Sequence, residues 1–238
     1  MLEPAPDAIM RPVLSIIIPT WNAGLSLPLT LRSLEEARAC GLLREVIVVD
    51  AGSRDGSTAI AQAWGAQVIH AAPGRGTQLA AGAALARGEW LLFLHADTRL
   101  ASGWEEMAGR FMRAPSNRER AAYFALRFDD PAPAARRLER VAAWRARRLG
   151  LPYGDQGLLI AAPFYHRLGG FFSLPLMEDV DLVRRIGRRR LEPLPAIALT
   201  DAVRYRREGY GRRMVRNLAC LTLYFLRIPP RLILRLYG

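Results

Sequence analysis

The chain contains no lysine; all 34 of its basic side chains are arginines. So uniform a choice says nothing about any one position. It also removes the residue on which a P-loop depends, and neither GxxxxGK[ST] nor GxGxxG follows the first predicted strand. Cysteine is nearly absent: Cys40 and Cys220 lie far apart with no CxxC or metal spacing. Neither a disulfide framework nor a zinc site is indicated, and both are expected as small buried hydrophobes. No apolar run reaches the ~18 residues that cross a bilayer. The first residues, MLEPAPDAIM, carry acids and prolines where a signal peptide needs a basic and then an apolar stretch, so a cytoplasmic protein is expected.

What is present suffices for a large core. The 238 residues, 51% of them hydrophobic, suit one large α/β domain or a domain with an appendage. Residues 1–100 hold 8 arginines against 9 acids, whereas the remaining 138 hold 26 against 13. The formal net charge of +12 therefore belongs to the second half.

The chain is organised around residues 88–100, GEWLLFLHADTRL. Residues 90–94 read as a strand apolar on both faces, the pattern of a central parallel strand covered by helices. His95, Ala96 and Asp97 then stand at its carboxyl end, the edge where open α/β sheets bind ligands. The alternative for Asp97 is a plain cap of the turn Asp97-Thr98-Arg99. Residues 13–18, closed by Pro19, read as a first strand, 45–50 as a second and 67–70 as a third. Between them, 27–39, 58–64 and 77–87 read as helices stopped by Gly41, Gly65 and Gly88. Four strands separated by three helices predict a parallel, right-handed sheet. The loops at 20–22, 50–53, 75–78 and 95–97 would then share one edge.

Glycine-containing strand-to-helix loops present backbone amides at helix N-termini, where an anion is favoured, and Arg75 adds a positive charge. Asp50 can accept from a base amide or a ribose hydroxyl. Asp97 can hold a divalent cation that bridges phosphates. Together these groups suit a nucleoside diphosphate.

SIIIPTWN at 15–22, VVDAGSRDGS at 48–57, GRGTQLAAGAALARGEWLLFLHADT at 74–98 and MEDVDLVRR at 177–185 resemble the family 2 glycosyltransferases of GT-A fold. The resemblance implies a Rossmann-like, mainly parallel sheet flanked by helices, with a nucleotide-sugar donor at its edge. It implies that Pro19, Thr20 and Asn22 line the nucleotide pocket, that Asp50 contacts base or ribose with Gly52 and Ser53 beside it, and that Arg75 and Gln78 border the donor. Asp97 becomes the metal-binding end of the DxD motif, holding Mg²⁺ or Mn²⁺, and Asp179 of the Glu178-Asp179 pair becomes the catalytic base. The implied reaction is direct displacement with inversion: Asp179 takes the acceptor proton while the metal offsets charge on the departing diphosphate.

Two departures stand out. Ala51 occupies the place of the second aspartate in Asp-Asp-Gly-Ser, and His95 that of the first aspartate in Asp-x-Asp. A neutral imidazole can contact ribose or phosphate and can ligate some transition metals, yet it removes one negative charge from a metal site. The His95-Ala96-Asp97-Thr98 form, with the short length, most resembles a small bacterial branch of the family.

Beyond residue 100, 104–113 reads as a helix, 121–128 as a strand crossing back over the sheet, and 131–149 as a helical pattern with six arginines on a solvated face. Asp155 and Gln156 precede an apolar strand and are either acceptor-side groups, as the resemblance implies, or a plain turn. Asp179 stands near the start of a helix at 180–186, where an N-cap also accounts for it. Asp181 is expected to be structural or solvated. Arg204, Arg206 and Arg207 are phosphate candidates by position and charge.

The chain thus divides into a tail (1–12), a GT-A domain (13–211, with a nucleotide-binding half to 100 and an acceptor half from 101) and a basic amphipathic helical segment (212–238). That segment would lie on an anionic membrane, pack on the domain, or form a homodimer contact. The first arrangement suits peripheral attachment and a lipid-linked or lipophilic acceptor. Pro229-Pro230 opposes a spanning hairpin. A sugar nucleotidyltransferase is disfavoured, because its GxGxR-type loop and its lysine are both missing. A non-catalytic protein binding nucleotide sugar, anionic lipid or nucleic acid is the other class. No nucleic-acid motif or aromatic-basic platform is present, so no nucleic-acid partner is expected.

Overall fold

The β-branched run that opens the domain forms β1 (Leu14–Thr20), buried along its length except at Pro19. A computed structural model describes residues 13–237, apart from the side chains of Arg235 and Tyr237. The predicted tail, residues 1–12, and Gly238 lie outside the described residues. After β1 come α1 (Leu27–Arg32), α2 (Glu35–Ala39), β2 (Leu43–Asp50), α3 (Ser57–Trp64), β3 (Gln67–His70), α4 (Arg75–Leu85) and β4 (Trp90–Phe93). β1 pairs in parallel with β2 on one side and β4 on the other, and β2 with β3.

The helix expected over 27–39 is interrupted at Ser33 and Leu34. The Ser33 carbonyl accepts the indole N–H of buried Trp104 at 3.0 Å, and its hydroxyl accepts the Leu100 N–H at 3.1 Å. These long-range bonds take over the carbonyl that would carry the helix on.

The second half contains β5 (Thr98–Leu100), α5 (Trp104–Arg113), β6 (Ala121–Phe128), α6 (Pro133–Trp144), β7 (Leu158–Ala161), α7 (Ala162–Arg167), α8 (Glu178–Ile186), β8 (Leu191–Thr200), α9 (Val203–Glu208), α10 (Tyr210–Phe225) and α11 (Pro230–Tyr237). The single sheet runs β3-β2-β1-β4-β7-β6-β8-β5. β7 is antiparallel to β4 and β6, β8 is parallel to β6, and β5 is antiparallel to β8. The architecture is therefore a mixed α/β sheet flanked by helices, parallel through its first half. β6 joins the sheet rather than crossing over it. Ala96 and Asp97 form a turn closed by the Thr98 N–H to the His95 carbonyl at 3.2 Å, and Thr98 and Arg99, which the capping alternative put in the turn, enter β5, because β8 offers it an edge to pair with.

β8 is hidden in the sequence by Pro193 and Pro195. Its register with β6 slips between Tyr123↔Pro193 and Ala125↔Ile197, a bulge that tolerates residues without an amide donor. A satellite core of Leu126, Phe128, Ala135, Ala142 and Ala202 lies under α6. There buried Glu139 accepts the Phe128 N–H at 2.8 Å and pairs with Arg127 and Arg136. Part of the arginine-rich face thus turns inward, while Arg137, Arg140, Arg147 and Arg148 are exposed. Cys220 is buried as expected, whereas Cys40, just past α2, is exposed. α10 and α11 break at Pro229-Pro230 as expected. Among the described residues no helix is long and apolar enough to cross a membrane.

Candidate active site

Register builds the edge: Thr20 pairs with Asp50 and Asp50 with His70, so three strands end at one level. Asp50 Oδ2 accepts the N–H groups of Gly52 at 2.8 Å and Ser53 at 2.9 Å, and Gly52 supplies the left-handed conformation (φ 91°) that this turn requires. Burial pushes the Asp50 pKa up, but the bonds from Ser53 and Gly52 outweigh it and hold the carboxyl below its ordinary value. The Asn22 N–H donates to Ser53 Oγ at 2.8 Å, and Asn22 Oδ1 accepts the Arg54 N–H at 2.9 Å. Gln78 Nε2 donates to the carbonyls of Thr20 (3.0 Å) and Val49 (2.7 Å), tying α4 to the ends of β1 and β2.

Asp97 is held by its backbone. Thr30 Oγ1 donates to the Ala96 carbonyl at 2.9 Å, and the Asp201 N–H donates to the Asp97 carbonyl at 3.1 Å. The hydroxyls of Thr98 and Thr200 meet at 2.9 Å inside the β5–β8 pair.

Opposite, the segment before α8 is pinned by aromatic packing. Phe171 meets Phe93 edge-on at 4.8 Å, and its N–H donates to Tyr165 Oη at 2.9 Å. Arg185 donates to the carbonyls of Leu168 and Gly170 and pairs with Asp181, which gives Asp181 a structural task. α8 begins at Glu178, so Asp179 lies in its first turn and the N-cap is Met177. Met177 has φ 65°, a left-handed conformation that costs a non-glycine residue ~1 kcal/mol. Asp179 Oδ2 accepts the Gly154 N–H at 2.8 Å and Oδ1 accepts the Val180 N–H at 2.7 Å. A Cβ on Gly154 would stand 2.5 Å from His95 Nε2.

Two adjoining hollows result. One, of about 1160 Å³, is lined by Pro19, Thr20, Trp21, Asn22 and Gln78; the other, of about 810 Å³, by Tyr153, Asp155, Asp179, Arg213 and Asn217. Arg75, His95, Asp97, Glu178 and Arg204 border both, so the two form one continuous cleft.

Burial and the nearby Arg75 charge depress His95 to about 3, against the pull of Asp179, so its imidazole is neutral. Burial raises Asp155 to about 6, reinforced by Asp179 and Asp97 and opposed by Arg145. Burial, then the adjacent Asp179, raises Glu178 to about 7. Asp155 Oδ1 and Asn217 Oδ1 are buried without a hydrogen-bond partner. For a divalent cation, the junction offers the Asp97 carboxylate and the neutral His95. Among the described residues no three His, Cys, Asp or Glu side chains cluster as a metal site. The donor set fits a hard cation completed by phosphate oxygens and water, not a protein cage.

Ten of the fourteen site residues expected from sequence line the cleft; Asp50, Gly52, Ser53 and Gln156 do not. Gln156 is buried, donates to the Phe124 carbonyl at 3.1 Å and accepts the Tyr153 N–H, so it supports its loop from beneath. Of the three arginine candidates, Arg204 reaches the cleft, whereas Arg206 turns to Asp129, Asp130 and Asp201. Sequence reasoning missed Tyr153, against whose ring Arg145 stacks, as well as Asp201, Arg213 and Asn217. Thr200-Asp201 repeats the strand-then-acid pattern of Asp50, and Arg213 and Asn217 share a helix face at i, i+4; both signals were available.

Residues 15–144, more than half of the chain, match the profile of Glycosyl transferase family 2. The chain belongs to that family. A PGL/p-HBAD biosynthesis glycosyltransferase from Mycobacterium bovis (strain BCG / Pasteur 1173P2) is 40% identical over 96 residues, 37% of each chain. The match thus spans little more than a third of that relative's length. Glucosyl-3-phosphoglycerate synthase from Mycobacterium tuberculosis, solved with Mn²⁺, UDP and glucosyl-3-phosphoglycerate, is 16% identical with a TM-score of 0.58, over 92% of this chain and 85% of that one. Mannosyl-3-phosphoglycerate synthase from Rubrobacter xylanophilus is 16% identical with a TM-score of 0.61, over 91% and 75%. At such identity the likeness is one of fold, that of the GT-A glycosyltransferases. In this member of family 2 the profile match ends at Trp144, so Tyr153, Asp155 and Asp179 lie beyond it.

Proposed function

We propose that this glycosyltransferase is a hexosyltransferase that moves a sugar from a nucleoside diphosphate donor to an acceptor hydroxyl with inversion. One observation carries the reading: Asp97 and Asp179, from distant parts of the chain, line the same hollow, with Asp179 fixed by two backbone N–H donors. The donor would occupy the side of Thr20, Asn22 and Gln78; UDP is bound in the similarly folded M. tuberculosis synthase. The acceptor would occupy the side of Asp155, Arg213 and Asn217.

Asp179 takes the acceptor hydroxyl proton, and its two anchoring bonds hold the carboxylate in place. Arg75 and Arg204, at the junction, lie where the diphosphate charge grows as it leaves. Glu178, raised to about 7, is partly protonated at neutral pH, which limits its repulsion of that diphosphate. Asp97 and His95 would hold Mg²⁺ or Mn²⁺, which would supply charge neutralisation on the diphosphate. The His95-Ala96-Asp97-Thr98 sequence defines, in this reading, a branch whose neutral histidine leaves more of that task to arginine. Residues 13–211 form the catalytic unit, and the helices beyond lend it Arg213 and Asn217.

The test is a thermal-shift series with nucleoside diphosphates and their sugars, with and without Mn²⁺, on wild type and Asp97→Ala. A Mn²⁺-dependent shift with one nucleotide that disappears in the variant is expected. A well-folded protein that no nucleotide stabilises would sink the proposal.

A further inference from the structure

The outward face of α10 carries Val215, Leu218 and Thr222 at i, i+3 and i+7, and its C-cap Leu226 extends the stripe at i+11. Leu218 is 61% exposed and Leu226 67%. α11 adds exposed Leu232 and Leu236. The inward faces are packed, with Cys220, Leu221 and Ile233 buried. The two helices also reach the cleft: α10 delivers Arg213 and Asn217 to its acceptor side, and α11 brings the partly exposed Leu234 to the donor side.

Charge says what covers the stripe. From residue 209 to the end the sequence has six arginines and no acid. Exposed Arg212 stands one turn before Val215, Arg227 adjoins Leu226, and Arg231 adjoins Leu232. A second copy would set these arginines against their equals. Anionic headgroups neutralise them while the leucines enter the acyl boundary, and a contiguous exposed apolar surface of this kind marks an interaction site.

We propose that α10 and α11 dock the protein on an anionic lipid surface, which brings the cleft to that surface and makes the acceptor an amphiphile embedded in it. The docking stands on the two helices; the amphiphilic acceptor rests on the sugar-transfer reading above.

Co-sedimentation with phosphatidylglycerol/phosphatidylcholine vesicles and with phosphatidylcholine alone tests the docking. About tenfold more protein should pellet with the anionic vesicles at low salt, and high salt should release much of it. Leu218→Asp/Leu226→Asp and Arg227→Glu/Arg231→Glu should each abolish pelleting while keeping the wild-type melting temperature and the thermal shift induced by the nucleotide that stabilises the wild type. Equal binding to both vesicles, binding to neither, variants that pellet like wild type, or a stable dimer broken by Leu218→Asp would overturn the docking.

For the acceptor, the labelled nucleotide sugar selected by thermal shift is incubated with enzyme and vesicles containing bacterial polar lipids. Label should enter the organic phase, and label confined to water-soluble material overturns the amphiphile. Vesicle binding without any nucleotide binding would refute sugar transfer and leave the docking intact. Nucleotide binding without vesicle binding would do the reverse.

Discussion

Gly154 gives its backbone N–H to Asp179 Oδ2 at 2.8 Å and, having no side chain, lets His95 pack against it. One residue thus spaces the proposed base from the proposed metal side of the cleft.

In Gly154→Ala the added Cβ would stand 2.5 Å from His95 Nε2, so the imidazole or the loop must shift. Transfer should fall about a hundredfold, because displacements of ~1 Å at a reacting centre cost on that order. Overpacking should lower stability by ~1–3 kcal/mol, leaving the protein folded at room temperature. Steady-state rates beside thermal melts separate the two effects, and an unchanged rate would free His95 and Asp179 from this spacing.

Asp179→Asn keeps the size of the side chain and one acceptor for the Gly154 N–H but cannot take a proton. The rate should drop by ~10²–10⁴-fold, the usual contribution of a general base. The nucleotide-induced thermal shift should stay close to wild type. A rate within a few-fold of wild type would dismiss Asp179 as the base.

Stability should respond to pH through Asp155. Its carboxyl sits at about 6 in the folded chain against an ordinary 3.8. Between those values the unfolded chain has lost a proton that the folded chain keeps, so this contribution is complete below pH ~4 and falls away as pH rises through 6, by about 3 kcal/mol. Glu178 acts in the same direction, from 4.5 up to about 7. His95, lowered from 6.5 to about 3, acts oppositely, and its contribution is lost as pH falls through that window. Asp155→Asn should therefore gain on wild type between pH 4 and pH 7. Denaturant melts at the two values measure the change, and a stability difference that does not vary with pH would remove Asp155 from this account.

Glu139 offers a contrast away from the cleft. It is buried, accepts the Phe128 N–H and pairs with Arg127 and Arg136. Glu139→Ala should cost about 1–3 kcal/mol, since it strands the buried Phe128 N–H, while the half-exposed Arg127 and Arg136 turn to solvent or to the carbonyls of Phe128 and Asp130. The nucleotide-induced shift should persist, and urea melts with and without nucleotide check both statements.

The strands β1 to β4, their helices and their common edge were legible because each rests on local pattern. Residues 14–18 and 90–93 are buried on both faces, Gly65 stops α3 as expected while α4 already ends at Leu85, short of Gly88, and strand-helix-strand units of this length allow essentially one handedness. Asp97 and Asp179 were also legible, as acids following a buried strand or opening a helix.

What the tertiary structure decided was company. Asp97 is fixed because β5 finds β8, a strand masked by two prolines and accommodated only by a bulge opposite Tyr123 and Ala125. Gln156 looks like a ligand in sequence, but a long-range hydrogen bond to the Phe124 carbonyl claims its side chain, and turn hydrogen bonds claim one oxygen of Asp50, Oδ2. Arg213 and Asn217 reach the cleft only because α10 folds back over it. Local spacing fixes which groups a segment can present and on which face. Which of them meet depends on pairings between residues a hundred positions apart, made by backbone donors and acceptors that every residue type shares.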